Sequence, residues 1–108
     1  MIGIVYLLLS VSPDNIEFHK IGITTRPVEK RIKALQTGNP NSIIVLKQYK
    51  TQNYRKVELV LHKRFNHHTE AKNEWRTLTE EQINNFLNIC KEIDDNINFL
   101  LKHNTFYK

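Results

Sequence analysis

An α+β fold, a small three-stranded antiparallel sheet flanked by helices in the order β-β-α-β-α-α, is what three observations in this sequence predict. Two β-rich runs, Ile2–Leu9 and Phe18–Ile23, stand on either side of the turn signal Ser12-Pro13-Asp14-Asn15. A third run, Ser42–Tyr49 (SIIVLKQY), has the same character. The apolar residues between and after these runs recur instead at helical spacing.

The first two runs are joined by a short polar loop and pair most simply as an antiparallel hairpin. Thr24 or Thr25 can cap the next element, and Pro27 suits a first helical position, where its missing N–H costs nothing. Val28, Ile32 and Leu35 then share one helix face, and Gly38-Asn39-Pro40 ends the helix. After the third strand, Tyr54–Asn66 reads as a helix with Val57, Val60, Leu61 and Phe65 toward the core. His67–Asn73 is a polar loop leading to Glu74-Trp75, and Trp75 is expected to be a core anchor more than a stacking platform. Thr79 with Gln82 forms a capping box for one long final helix over residues 80–103. Residues 1–78 form the expected core, with 79–108 as a helix and tail of the same domain.

Size and composition restrict the function. A chain of 108 residues has room for one core. No apolar stretch approaches the ~20 residues that span a bilayer, and the N-terminus lacks the basic region of a secretion signal. One cysteine, Cys90, excludes an internal disulfide and a multi-cysteine zinc site, so an intracellular protein is expected. The net charge of +5 is unevenly spread: residues 20–76 carry 13 Lys or Arg against Glu29, Glu58, Glu70 and Glu74. A basic middle of this kind suits a polyanion, because each neutralised phosphate releases counterions. Lys30, Lys33, Arg55, Lys56, Lys63 and Arg64 are the expected nucleic-acid contacts.

Four polar residues, Tyr6, Lys20, Arg31 and Glu58, stand where the apolar pattern has no structural need of them. Phosphodiester hydrolysis requires a deprotonated water, positive charge on the phosphate and stabilisation of the leaving oxygen. Glu58, set among Arg55, Lys56, Lys63 and Arg64, can hold one Mg²⁺; on residue chemistry alone, a surface carboxylate paired with its basic neighbours is the simpler reading. Tyr6, read by itself, is a strand tyrosine with its ring packed and its hydroxyl hydrogen-bonded. Arg31 offers a fork for two phosphate oxygens, or pairs with Glu29. His62, one turn after Glu58, can reach a leaving group or simply pair with that carboxylate. Gly22 serves close backbone approach or a bulge.

Taken in order, Gly3-Ile4-Val5-Tyr6, Lys20-Ile21-Gly22, Thr24, Arg31, Glu58, Leu61-His62-Lys63-Arg64-Phe65 and Glu74-Trp75 resemble the GIY-YIG nuclease superfamily. The compact phage and viral branch, with K-I-G in place of Y-I-G, is the nearest pattern. The resemblance implies an endonuclease acting on DNA with Mg²⁺ or Mn²⁺, in which Glu58 holds the metal, Tyr6 with Lys20 activates water and Arg31 stabilises the phosphate. The chain departs from that pattern at Ile4 (a motif Gly), at Lys20 (a motif Tyr) and at Leu35, where the family often has His or Tyr. Asn73 or Glu74 would supply the family's late polar residue. The alternatives are a non-cleaving nucleic-acid-binding module of the same fold and a dimerising interaction subunit. The latter draws on Ile83, Phe86, Cys90, Ile93, Ile97 and Leu100, spaced by threes and fours along a helix of roughly 36 Å, as a homodimer contact.

Overall fold

The computed structural model describes residues 1–65 and 75–103. Its elements are β1 (Gly3–Val11), β2 (Glu17–Thr24), α1 (Val28–Gln36), β3 (Ser42–Thr51), α2 (Tyr54–Arg64), α3 (Glu80–Asn84) and α4 (Phe86–His103). The three strands form one antiparallel sheet in the order β2-β1-β3. The predicted α+β architecture is the one observed.

β2 and β3 exceed their predicted spans because hydrogen bonding continues past the last apolar residue, whereas β1 begins one residue later than predicted and ends two later. β1 and β2 meet through a turn in which Asn15 takes the left-handed conformation (φ 62°), one that asparagine tolerates. β1 lies in the middle, paired along both edges, and both its faces are covered by packed side chains. Val5 and Leu7 join Ile21, Val57, Leu61, Phe65, Phe86, Cys90 and Ile93 in one cluster. Tyr6 and Leu8 face the other way, into Val28 and Ile43, with Ile32, Leu35 and Trp75 packed around them. Thus α2 and α4 cover one side of the sheet and α1 the other.

Helix boundaries correct three expectations. Pro27 occupies the flanking position before α1 instead of its first turn, and no side chain caps that helix. The Thr24 hydroxyl instead accepts the Arg26 N–H at 3.1 Å, forming a local turn. The predicted capping box is present: Thr79 accepts the Gln82 N–H at 3.1 Å and the Gln82 side chain accepts the Thr79 N–H at 2.9 Å. However, the single long helix it was expected to open is divided at Asn85 into α3 and α4. Asn66, the loop His67–Asn73 and Glu74 lie outside the described residues.

The apolar stripe offered for pairing with a second copy is mostly turned inward. Phe86, Cys90 and Ile93 are buried, Ile83 and Ile97 pack against the same cluster, and Phe99 and Leu100 remain exposed. Burial, followed by the nearby Asp94 charge, pushes the Cys90 thiol up to about 12. Asp94 fastens α4 to the sheet. Its carboxylate accepts from the Tyr49 hydroxyl at 2.8 Å, the Thr51 hydroxyl at 2.8 Å and the Asn53 amide at 2.7 Å. No helix among the described residues is long and apolar enough to cross a membrane.

Candidate functional site

Tyr6, Lys20, Arg31, Glu58 and His62 come from β1, β2, α1 and α2, yet all five line one cavity of about 290 Å³. Gly22 and both Ile21 and Ile23 complete its wall. Neighbouring residues of a strand point to opposite faces. A cavity that touches Lys20, Ile21, Gly22 and Ile23 in succession therefore wraps around the edge of β2, where α1 from one side and α2 from the other approach each other.

Each side chain reaches the cavity for a local reason. Tyr6 is paired across the strands with Gly22. Its ring is buried, and a β-carbon built on Gly22 would lie 2.4 Å from the Tyr6 hydroxyl oxygen and 2.5 Å from Cζ. Only glycine leaves room for the phenol at that place. Lys20 is 7% exposed, unusual for a lysine, and its Nζ lies 5.7 Å from the centre of the Trp75 ring. Trp75 packs on the Tyr6–Leu8 cluster, as the core-anchor reading expects. Arg31 projects from the exposed face of α1.

Glu58 and His62 are separated by one turn of α2, with Nε2 and Oε2 3.7 Å apart and about a quarter and a third of each side chain exposed. The far side of the imidazole meets a residue that the sequence did not single out. Arg76 is buried, and its Nη2 donates to His62 Nδ1 at 2.8 Å. Arg76 Nε and Nη1 are buried with no hydrogen-bond partner among the described residues. Burial lowers the pKa of Arg76 from the ordinary arginine value, but a guanidinium remains charged in a protein. The backbone of Arg76 is fixed by an antiparallel bridge to His19, whose buried ring accepts the Leu78 N–H at Nδ1 (3.1 Å). Burial lowers the pKa of His19 against the opposing pulls of Glu17 and the Arg76 backbone.

A second depression, lined by Thr24, Thr25, Arg26, Tyr54 and Arg55, shares Ile23 and Glu58 with the first. It extends the cavity along a basic margin, with the Arg55 guanidinium 5.8 Å from the Tyr54 ring centre. Arg26 was also missed in the sequence, because an exposed arginine in a turn carries no periodic signal. The expected nucleic-acid residues divide. Arg55 borders the extended cavity, whereas Lys33 lies along a separate depression with Glu29, Ile32 and Gln36. Arg64 turns toward Glu92 on α4 at 3.9 Å. Lys30, Lys56 and Lys63 are exposed on their helices. Glu58 is the one acidic residue of the cavity wall, and no three His, Cys, Asp or Glu among the described residues gather as a metal cluster.

The family model of the T5orf172 domain matches residues 3–91. The chain belongs to the T5orf172 domain family. No curated protein and no solved structure matches it. The T5orf172 match runs from β1 into α4 and takes in every residue of the cavity wall, together with Arg76 and Trp75. It covers residues 3–78 of the expected core and runs on to residue 91.

Proposed function

We propose that this T5orf172 domain is a metal-dependent endonuclease that hydrolyses DNA phosphodiester bonds by a GIY-YIG-type mechanism. The observation that carries the reading is the convergence of Tyr6, Lys20, Arg31, Glu58 and His62, from four separate elements, on one cavity with a basic margin. A packed tyrosine, a surface ion pair and a solvated arginine have no reason to meet in this way.

The donor set fits Mg²⁺ or Mn²⁺. A single carboxylate oxygen donor, partly exposed and facing a polar cavity, suits a hard cation that keeps most of its waters and takes further oxygens from phosphate. Glu58 would hold the ion, and His62 Nε2, beside Glu58 Oε2, orients the carboxylate. When bound, the metal supplies Lewis-acid stabilisation of charge on the scissile phosphate and leaving oxygen. Tyr6 Oη would accept the proton of the attacking water, with the positive charge of Lys20 on the same cavity wall. Arg31 binds two non-bridging oxygens and thereby orients phosphorus for in-line attack. The basic margin at Arg26 and Arg55 would track the flanking phosphates.

The purified protein should nick supercoiled plasmid in Mg²⁺ or Mn²⁺ and not in EDTA. Glu58→Ala should abolish nicking while DNA binding without metal persists and the fold is retained, since a helix-surface Glu→Ala change costs little. Undiminished nicking by that variant would remove the site assignment. A protein that binds DNA with steep salt dependence but never nicks it is the non-cleaving module instead. Exposure of Phe99 and Leu100 keeps a homodimer through residues 80–103 as a separate reading, which light scattering at micromolar concentration decides.

A further inference from the structure

A second cavity, of about 190 Å³, is lined by Ser10, Phe18, Asn39, Asn41 and Trp75. Strand register places it on the same sheet face as Tyr6. The cross-strand pairs Tyr6–Gly22, Leu8–Lys20 and Ser10–Phe18 succeed one another at intervals of two residues, so all point the same way. From Tyr6 to Ser10 the strand advances about 14 Å, at ~3.4 Å per residue. Lys20 joins the two spaces: it lines the first cavity, and its ammonium lies over Trp75, which lines the second.

The lining combines flat apolar walls with polar groups that have little to do within the fold. Phe18 and Trp75 are both partly exposed aromatic rings. The Ser10 hydroxyl belongs to a residue 2% exposed that lines this cavity. Asn39 and Asn41 are held in place from behind. Gln36 Nε2 donates to both of their carbonyl oxygens, at 3.1 and 2.7 Å, and Asn39 Oδ1 accepts the Asn41 N–H at 2.9 Å. The Asn41 amide itself bonds to no described residue and is presented on a fixed loop.

We propose that this cavity is a nucleobase subsite, taking an unpaired base of the polynucleotide whose phosphate occupies the Arg31–Glu58 cavity; the proposal rests on the nuclease reading above. A base is a flat ring with a rim of donors and acceptors. Aromatic side chains meet its faces, and an asparagine amide can both give to and accept from its edge. In an intact duplex the faces are stacked and the pairing edge is occupied. A base can enter here only from a single strand, a junction, a flap or a flipped position. The preferred substrate is therefore DNA with an unpaired nucleotide a short distance from the scissile bond.

Trp75 is the sole tryptophan, so its fluorescence reports on this cavity. The 108-residue protein, in EDTA, is titrated with a single-stranded oligonucleotide, the blunt duplex of the same sequence, and an abasic sugar-phosphate chain of equal length. The single strand should quench Trp75 and bind about 10-fold or more tightly than the abasic chain. Asn41→Ala should weaken the single strand by a comparable factor and leave the abasic chain unaffected. Equal affinity for single strand and abasic chain without quenching overturns the subsite while leaving the polynucleotide reading intact. Equal quenching by the duplex overturns the requirement for an unpaired base, and failure of all three to bind overturns both proposals.

Discussion

Gly22→Ala adds one methyl group to the molecule at a place that has no room for it. The new carbon would lie 2.4 Å from the Tyr6 hydroxyl oxygen, 2.5 Å from Cζ and 2.8 Å from Cε1. Ordinary contact begins near ~3.5 Å, so the phenol must retreat by about 1 Å. It cannot swing aside cheaply, because Tyr6 is 1% exposed and packed with Leu8, Val28 and Ile43. Overpacking of this kind costs about 1–3 kcal/mol, and a ring packed against Leu8, Val28 and Ile43 belongs in the upper half of that range. At about 4–8 °C per kcal/mol for a domain of this size, Tm should fall by about 10 °C. Urea unfolding measures the loss directly as a lower midpoint at unchanged slope. The identity of the colliding atoms supplies the control. Adding Tyr6→Phe should give little relief, because Cζ remains in the way, whereas adding Tyr6→Leu removes the ring and should return about 1 kcal/mol or more as coupling in a double-mutant cycle. A Gly22→Ala protein within about 0.5 kcal/mol of wild type, or full rescue by Tyr6→Phe, would refute the reasoning.

Tyr6→Phe alone should lower kcat for nicking by about 100-fold with little change in DNA affinity; a loss of less than a few-fold makes Tyr6 a packing residue. His19 has its pKa lowered by burial, so the unfolded chain takes up that proton more readily. The stability this contributes is complete above about pH 6.5 and fades as pH falls through the lowered folded value. His19→Asn, whose Oδ1 can accept the Leu78 N–H without titrating, should flatten the dependence of unfolding free energy on pH between 7 and 5; an unchanged slope refutes the assignment. Asp94→Ala strands the donors of Tyr49, Thr51 and Asn53 in a half-buried pocket and should cost about 3 kcal/mol or more by urea unfolding. A loss below about 1 kcal/mol would show that α4 is held by its apolar face alone.

The sequence carried the elements and most of the cavity wall because both follow local rules. Hairpin signals, the helical recurrence of Val28, Ile32 and Leu35, and the Thr79–Gln82 box each depend on residues a few positions apart. Tyr6, Lys20, Arg31 and Glu58 are legible as polar residues out of place and His62 by its position one turn after Glu58, and the structure brings all five together. What was illegible depends on distance in sequence. The burial of Arg76 follows from its bridge to His19, far upstream, and nothing in Trp75-Arg76-Thr77 announces that partner. The three donors on Asp94 lie 41 to 45 residues away from it. The sequence leaves Gly22 between two readings, and the Tyr6 ring packed against it selects close approach. The stripe on α4 showed a helix with one apolar face, but spacing alone does not say whose surface that face will meet. Arg64 and Lys33 were grouped by charge with Arg55, although helix rotation sends them to other faces.

The contact between Arg76 and His62 determines where the imidazole keeps its proton. Arginine has donors and no lone pair to give, so the nitrogen it meets, Nδ1, must be bare. A neutral His62 is thereby restricted to the tautomer with hydrogen on Nε2, the atom 3.7 Å from Glu58. A residue with no place in the cavity wall thus sets the polarity of one that has. The ring turns its N–H edge toward Glu58, and Nδ1 is not open to a metal while that arginine stays in place.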